Sequence, residues 1–169
     1  MNNMNRTELI ASITGAFIGT LAASFFSFMI LEAEYSPVIL ASTGASALLL
    51  FGVPHSPASQ PWNLVGGHII SAIIGVSCYK LIPNTLLASS VVIPAAMVAM
   101  HFLKCLHPPG GATAVSAVIG GETIHDLGYA FVIIPVFFNA IILLSFAMAT
   151  GTFRENNPFE IIDKNQPNG

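Results

Sequence analysis

From Leu9 to Leu31 the chain carries no charged side chain, and this run decides what the protein can fold into. At ~1.5 Å per residue, a helix of that length crosses the ~30 Å hydrocarbon core of a bilayer. Thr7 stands where an N-cap is wanted, and Arg6 alone is too little for the basic region of a cleavable signal peptide. The remaining sequence follows the same rule. Charged residues make up 8% of the 169 residues, against roughly 25% in a soluble domain. They stand at segment edges: Arg6 and Glu8, Glu32 and Glu34, Lys80, Lys104, Glu122 and Asp126, then Arg154, Glu155, Glu160, Asp163 and Lys164 near the end. Ions cost too much in hydrocarbon to stand within the apolar runs. The hydrophobic share is 54%, mean hydropathy is +0.76, and the net charge of −3 gives no basic footprint for nucleic acid. Cys78 and Cys105 both lie in apolar surroundings, with no disulfide framework and no CxxC metal knuckle.

These features predict an all-α integral membrane protein with six helical segments. Leu9–Leu31 is followed by a shorter apolar run, Pro37–Val53, and a polar loop over 55–63. Leu64–Leu81 and Leu86–Leu103 are the third and fourth segments, the latter with a kink expected at Pro94. His107–Gly121 opens with two prolines and two glycines and is too short to cross alone; Leu127–Ala149 is the last long helix, with Pro135 inside it. Residues 1–151 form one transmembrane domain, and 152–169, rich in Asn, Pro and charge, form a short polar tail.

The order is long, short, long, twice over, giving a first repeat at about 9–82 and a second at about 86–150. Thr43-Gly44-Ala45-Ser46-Ala47 aligns with Gly110-Gly111-Ala112-Thr113-Ala114, each followed by aliphatics and a glycine, Gly52 or Gly120. Short or interrupted helices at corresponding places of two repeats are the best sequence pointer to a transport site. If both short helices are re-entrant, the chain crosses four times and the halves are parallel; if both cross, it crosses six times and they are inverted. Either count is even, so both termini share one side, which Arg6, Arg154 and Lys164 mark as cytoplasmic in a bacterial-type plasma (inner) membrane.

The chemistry concentrates at Leu106-His107-Pro108-Pro109-Gly110-Gly111-Ala112-Thr113. Pro108 and Pro109 force the chain to break and restart as a helix. Gly110 and Gly111 are then expected to present bare N–H groups at a helix N-terminus, with the Thr113 hydroxyl in the first turn, an arrangement that binds anions. Ser42, Thr43, Gly44 and Ser46 offer a matching set in the first half. Such small-residue runs also let membrane helices pack closely, and that reading stands beside the functional one. Lys104 either draws anions toward the break or snorkels to the headgroups. His107 adjoins the break, and His55 and His68 flank the polar loop, so all three are candidates for the pathway. His101 and Cys105, four apart, are a conceivable metal pair, but no further ligand completes a set. Trp62 reads as an interfacial anchor, and His125 beside Asp126 reads as a loop residue.

The His-Pro-Pro-Gly-Gly motif resembles the signature of the HPP family of integral membrane proteins. The first half resembles the same family at Gly44-Ala45-Ser46-Ala47, Phe51-Gly52-Val53-Pro54-His55-Ser56-Pro57, Gln60-Pro61-Trp62-Asn63 and Gly66-Gly67-His68. The match covers about residues 10–150. This resemblance implies four transmembrane helices and, from cyanobacterial and plastid members, nitrite transport. Some members add cytoplasmic CBS domains, for which this sequence leaves no room. The expected function is thus a transporter or channel for a small inorganic anion, nitrite by resemblance, with Lys104, His107, Pro108, Pro109, Gly110, Gly111, Thr113, Thr43, Gly44, Ser46, His55 and His68 on the pathway. The alternative is a structural or sensory membrane module without transport. No catalytic dyad, metal set or cofactor motif points to an enzyme. The expected partners are the lipid bilayer, the anion and further copies of the chain.

Overall fold

The computed structural model describes residues 6–31 and 36–151, and every regular element among them is helical. The tail at 152–169, with Arg154 and Lys164, and the edge charges Glu32 and Glu34 lie outside the described residues.

Helix α1 (Arg6–Ile30) is inside out by the standards of a soluble helix. Its buried residues are Ser12, Gly15, Gly19, Ala23 and Ser27, one small side chain per turn. Its large side chains, among them Ile10, Phe17, Phe25 and Met29, point outward. Water would not tolerate that surface, whereas lipid is as apolar as leucine, so helices in a bilayer bury whatever lets backbones approach. Thr7 lies within the first turn instead of ahead of it, because the helix already includes Arg6.

Helix α2 (Ser36–Ala47) widens into a π-type turn at Leu48–Gly52, and together they fill the short apolar run. Helix α3 (Pro61–Leu81) begins earlier than the sequence indicated. Pro61 has no N–H to satisfy and suits a first turn, so Trp62 and Asn63 are helical and not part of the loop. Helix α4 (Thr85–Phe102) is capped by Asn84, whose Oδ1 accepts from the Leu87 N–H at 2.9 Å, and it continues through Pro94. Helix α5 (Pro109–Ile119) is the second short element. The stretch expected as a break near 121–126 contains a six-residue helix, α6 (Glu122–Leu127), between Gly121 at φ 81° and Gly128 at φ 51°. The last segment is not one continuous helix. Val132–Phe137 winds as a π-type turn with Ile134 extended (φ −122°, ψ 112°) before Pro135, and α7 (Phe138–Gly151) follows. A residue preceding proline is pushed out of the helical region, which accounts for Ile134.

Among the described residues, four segments are long and apolar enough to cross a membrane: Arg6–Ile30, Pro61–Leu81, Thr85–Phe102 and Val132–Thr150. Helix α5, with 11 residues, reaches only ~16 Å. Helix α3 is the central post, touching α4, α5, α7 and the π-type turn before α7. Its closest neighbour is α5, and glycines permit the approach. A Cβ on Gly75 would lie 2.6 Å from the Ala114 carbonyl oxygen and 2.7 Å from the Ala117 Cβ; one on Gly110 would lie 2.6 Å from Ser71 Oγ and 3.0 Å from the Gly67 carbonyl oxygen. Around Gly44, by contrast, nothing lies within 4 Å of such a Cβ. Gly75→Val is therefore expected to lower stability by roughly 1–3 kcal/mol or more through overpacking, while Gly44→Ala stays near wild type. Thermal unfolding in detergent reads both; equal midpoints would refute the packing role assigned to Gly75.

Candidate functional site in the centre of the bundle

Helix α4 ends at Phe102, and the turn that follows places His107 in the interior. Lys104 takes φ 53° with its side chain exposed. The Trp62 indole N–H donates to the Leu103 carbonyl at 3.1 Å, and the Asn63 amide donates to the Leu106 carbonyl at 2.9 Å. These two residues therefore hold carbonyls that the broken helix leaves unpaired. Gly66 and Gly67 make room beneath the turn: a Cβ on Gly66 would crowd Cys105, and one on Gly67 would overlap His107. Cys105 and His107 are consequently both fully buried.

His107 meets a second buried histidine. Ser46 Oγ from α2 lies 2.7 Å from His68 Nε2 and 2.9 Å from His107 Nε2; His68 Nδ1 lies 2.7 Å from Thr113 Oγ1, and His107 Nδ1 lies 2.7 Å from the Ala58 carbonyl oxygen. The rings are 4.9 Å apart, edge to face. A carbonyl only accepts, so His107 Nδ1 carries a hydrogen. With that ring neutral, its Nε2 accepts from the Ser46 hydroxyl. Ser46 has then used its only hydrogen and accepts from His68 Nε2–H, and His68 Nδ1 accepts from the Thr113 hydroxyl. All the hydrogens thus run one way, from Thr113 through His68 and Ser46 to His107 and Ala58.

Beside this chain lies a small cavity lined by Ser42, Thr43, His68, Thr113 and Asn139 with Ile39, Val136, Ala140 and Leu143. Its volume is about 10 Å³, close to the roughly 10–15 Å³ that one water requires. Ser42 and Thr43 hydroxyls both donate to the Ile39 carbonyl at 3.1 Å. The Asn139 amide nitrogen donates to Ser27 Oγ at 2.8 Å and reaches Thr43 Oγ1 at 3.5 Å. Asn139 Oδ1 is the one buried side-chain oxygen or nitrogen among the described residues with no partner.

The structure thus brings together Ser46, His68, His107 and Thr113, and it sets Thr43 on the adjoining cavity wall. Pro109 and Gly110 are buried where α5 starts, whereas Pro108 is exposed. Gly44 and Gly111 are half-buried, and His55 and Lys104 are exposed, away from the buried chain. The expectation of bare amides is corrected: Gly110 N–H donates to the His107 carbonyl at 2.8 Å and Gly111 N–H to the Pro108 carbonyl at 2.9 Å. The turn between the prolines and α5 uses these donors itself. The i, i+4 relation of His101 and Cys105 is also lost, because α4 stops at Phe102; His101 is exposed and Cys105 buried. For the same reason His101 and Lys104 share no helix face. His125 is helical, stacks on Tyr79 at 3.6 Å and lies 3.1 Å from the Val118 carbonyl oxygen through Nε2, a packing role.

Asn139, Ser27 and Ala58 were missed. Asn139 did carry a signal, as the one amide side chain within the apolar run Leu127–Ala149. An amide in a membrane helix turns inward toward hydrogen-bonding partners. Nothing local marks the Ala58 carbonyl.

Comparison with known proteins agrees with this architecture. Two transmembrane proteins of Dictyostelium discoideum are similar: one is 34% identical over 158 residues, 91% of this chain and 50% of the relative, and the other 32% identical over 150 residues, 86% and 52%. The chain therefore spans about half the length of these curated relatives. No solved structure matches. The family description "HPP, transmembrane region" fits residues 1–159, nearly the whole chain. With its helical bundle and its His-Pro-Pro turn that buries His107, this chain is an integral membrane protein belonging to the HPP transmembrane family.

Proposed function

We propose that this protein is a transporter or channel for a small inorganic anion, with nitrite the substrate by family resemblance. The observation that carries the reading is the small cavity onto which Thr43, His68, Thr113 and Asn139 bring polar side chains within an apolar bundle. A buried acceptor left unmet costs about 1–3 kcal/mol, so Asn139 Oδ1 marks the cavity as a place for a hydrogen-bond donor. Polar groups within a membrane mark substrate pathways. With the Gly110 and Gly111 amides engaged in their turn, the polar side chains that line the cavity are those of Ser42, Thr43, His68, Thr113 and Asn139.

The repeat belongs to the same reading. Ser46 and Thr113 occupy the same place in the two aligned motifs, and each hydrogen-bonds one nitrogen of His68. The short helices α2 and α5, in contact with each other, are taken as re-entrant partners around the site, with four crossings, both termini cytoplasmic in a bacterial-type inner membrane, and the chain assembled with further copies. No catalytic role is assigned.

Vesicles containing only this protein test transport. Nitrite entry above that of protein-free vesicles is expected, and equal rates would leave the structural or sensory reading. Lys104→Gln is expected to slow entry a few-fold at low salt and less at high salt, where screening is strong. Lys80, whose Nζ stands 6.0 Å over the Tyr129 ring, serves as the control. Equal effects of the two substitutions would reduce Lys104 to a snorkelling residue.

A further inference from the structure

The buried chain Thr113–His68–Ser46–His107–Ala58 admits more than one complete assignment of its hydrogens. We propose that it is a one-proton store that couples a proton to an anion reaching the Thr113 wall of the adjoining cavity, which must widen beyond its one-water size to admit it; this deepens the transport reading and rests on it.

Consider one added proton. If it sits on His68, Nδ1–H donates to Thr113 Oγ1, Nε2–H donates to Ser46, and Ser46 still donates to His107. If it sits on His107, Nε2–H donates to Ser46, Ser46 turns its hydroxyl to His68 Nε2, and His68 Nδ1–H donates to Thr113. Both arrangements use the same heavy-atom separations of 2.7, 2.7 and 2.9 Å and leave no ring nitrogen or hydroxyl oxygen of the chain without a partner. Passage between the rings breaks His68 Nε2–H as Ser46 Oγ gains that hydrogen, and Ser46 gives its own to the His107 Nε2 lone pair. Nothing is oxidised or reduced. The Ala58 carbonyl ends the chain, since it accepts a hydrogen bond but takes no proton. The device therefore stores a proton and does not conduct one across.

The link to the cavity is Thr113. In the neutral chain its hydroxyl is committed to His68, the Ser42 and Thr43 hydroxyls are committed to Ile39, and the unpaired atom is an acceptor, Asn139 Oδ1. An anion finds no donor there. In either protonated form Thr113 accepts from His68, and its own hydrogen is released toward the cavity it lines. The species taken up is thus an anion with its proton, a weak acid. The O–H bond of the acid breaks, its proton joins Thr113 Oγ1, Thr113 passes its own hydrogen to His68 Nδ1, and the anion keeps the electron pair and accepts from Thr113. Nitrite and formate fit this class; chloride and nitrate, conjugate bases of strong acids, do not.

The titratable groups around the two rings, among the described residues, are few. The rings face each other, and Cys105 packs on Gly66 from the α4–α5 turn. On the elements packed against them, His55, Tyr79, Lys80, His101 and Lys104 are exposed, and Cys78 is buried toward the other end of α3. The described parts of α2, α5 and α7 carry no titratable side chain.

Nitrogen-15 NMR of histidine-labelled protein in lipid tests the store directly. The neutral form should show a bare Nδ1 on His68 and a bare Nε2 on His107. Adding nitrite at mildly acidic pH should protonate His68 Nδ1 fully and share one hydrogen between His68 Nε2 and His107 Nε2, with about one proton taken up per anion bound, since proton and anion binding must favour each other equally. Ser46→Ala should confine the response to His68, and Ser46→Thr should restore sharing. Reversed tautomers, nitrite binding without proton uptake, or an unchanged His107 response in Ser46→Ala would each overturn the proposal. Vesicle flux separates it from the reading beneath it. Nitrite flux indifferent to an imposed proton gradient sinks the coupling and leaves transport intact. Absence of nitrite flux with the expected tautomers sinks transport, and an absent nitrite response in the rings then sinks the coupling as well.

Discussion

His107→Ala is expected to abolish anion uptake and to lower stability by roughly 3–5 kcal/mol. The side chain is 0% exposed and holds the buried Ser46 hydroxyl and the part-buried Ala58 carbonyl. Truncation leaves the buried Ser46 hydroxyl without that partner, at about 1–3 kcal/mol, frees the Ala58 carbonyl at a smaller cost, and opens a void above Gly67 that surrounding helices refill only in part. Folding and function are separable, because the void has the shape of the ring removed. Imidazole supplied in solution is expected to recover part of the thermal midpoint and part of the uptake. Wild-type uptake in His107→Ala would dissolve the site, whatever the change in stability.

Asn139→Leu is the sharper case, because stability and activity should part company. The substitution fills the cavity and removes the unpaired Oδ1. It forfeits the 2.8 Å bond from Nδ2 to Ser27 Oγ. The gain from removing the unpaired acceptor offsets the lost hydrogen bond, so thermal stability should stay within ~1 kcal/mol of wild type, as for hydrophobic replacement of similar volume. Uptake should nevertheless fall to that of protein-free vesicles, since the space beside Thr113 is gone. A bundle that carries no substrate predicts no measurable loss on any vesicle assay. Retained uptake in a folded Asn139→Leu protein would move the pathway away from this cavity.

The class of fold was legible in residues 6–31 and 61–102 because the penalty for a charge in hydrocarbon acts residue by residue. It fixes where segments begin and end without reference to what they touch. The two short elements were legible for a similar reason: Pro108 and Pro109 break a helix by their own sterics, and α5 is too short to cross by length alone. The boundaries that shifted are those where a local signal competed with a distant one. Trp62 and Asn63 looked like loop residues, yet they are helical and hold the Leu103 and Leu106 carbonyls. The Gly110 and Gly111 amides looked free, yet the turn before α5 closes on them.

Sequence alone named Ser46, His68, His107 and Thr113 as candidates, through motif and likeness to the HPP family. That the four form one hydrogen-bonded chain was decided only in three dimensions. Ser46 reaches His68 across 22 residues and His107 across 61, and His68 reaches Thr113 across 45. Such contacts depend on which face each helix turns inward and how closely α3 and α5 approach. Gly67, Gly75 and Gly110 set that approach only because of what stands opposite them. Asn139 shows the same division. Its presence in an apolar run announced a buried amide, but only the packing of α1, α2 and α7 decided that its nitrogen would find Ser27 and its oxygen nothing. Charge and helix breaks act locally and can be read along the chain, whereas the partners of a buried polar atom are a property of the assembled bundle.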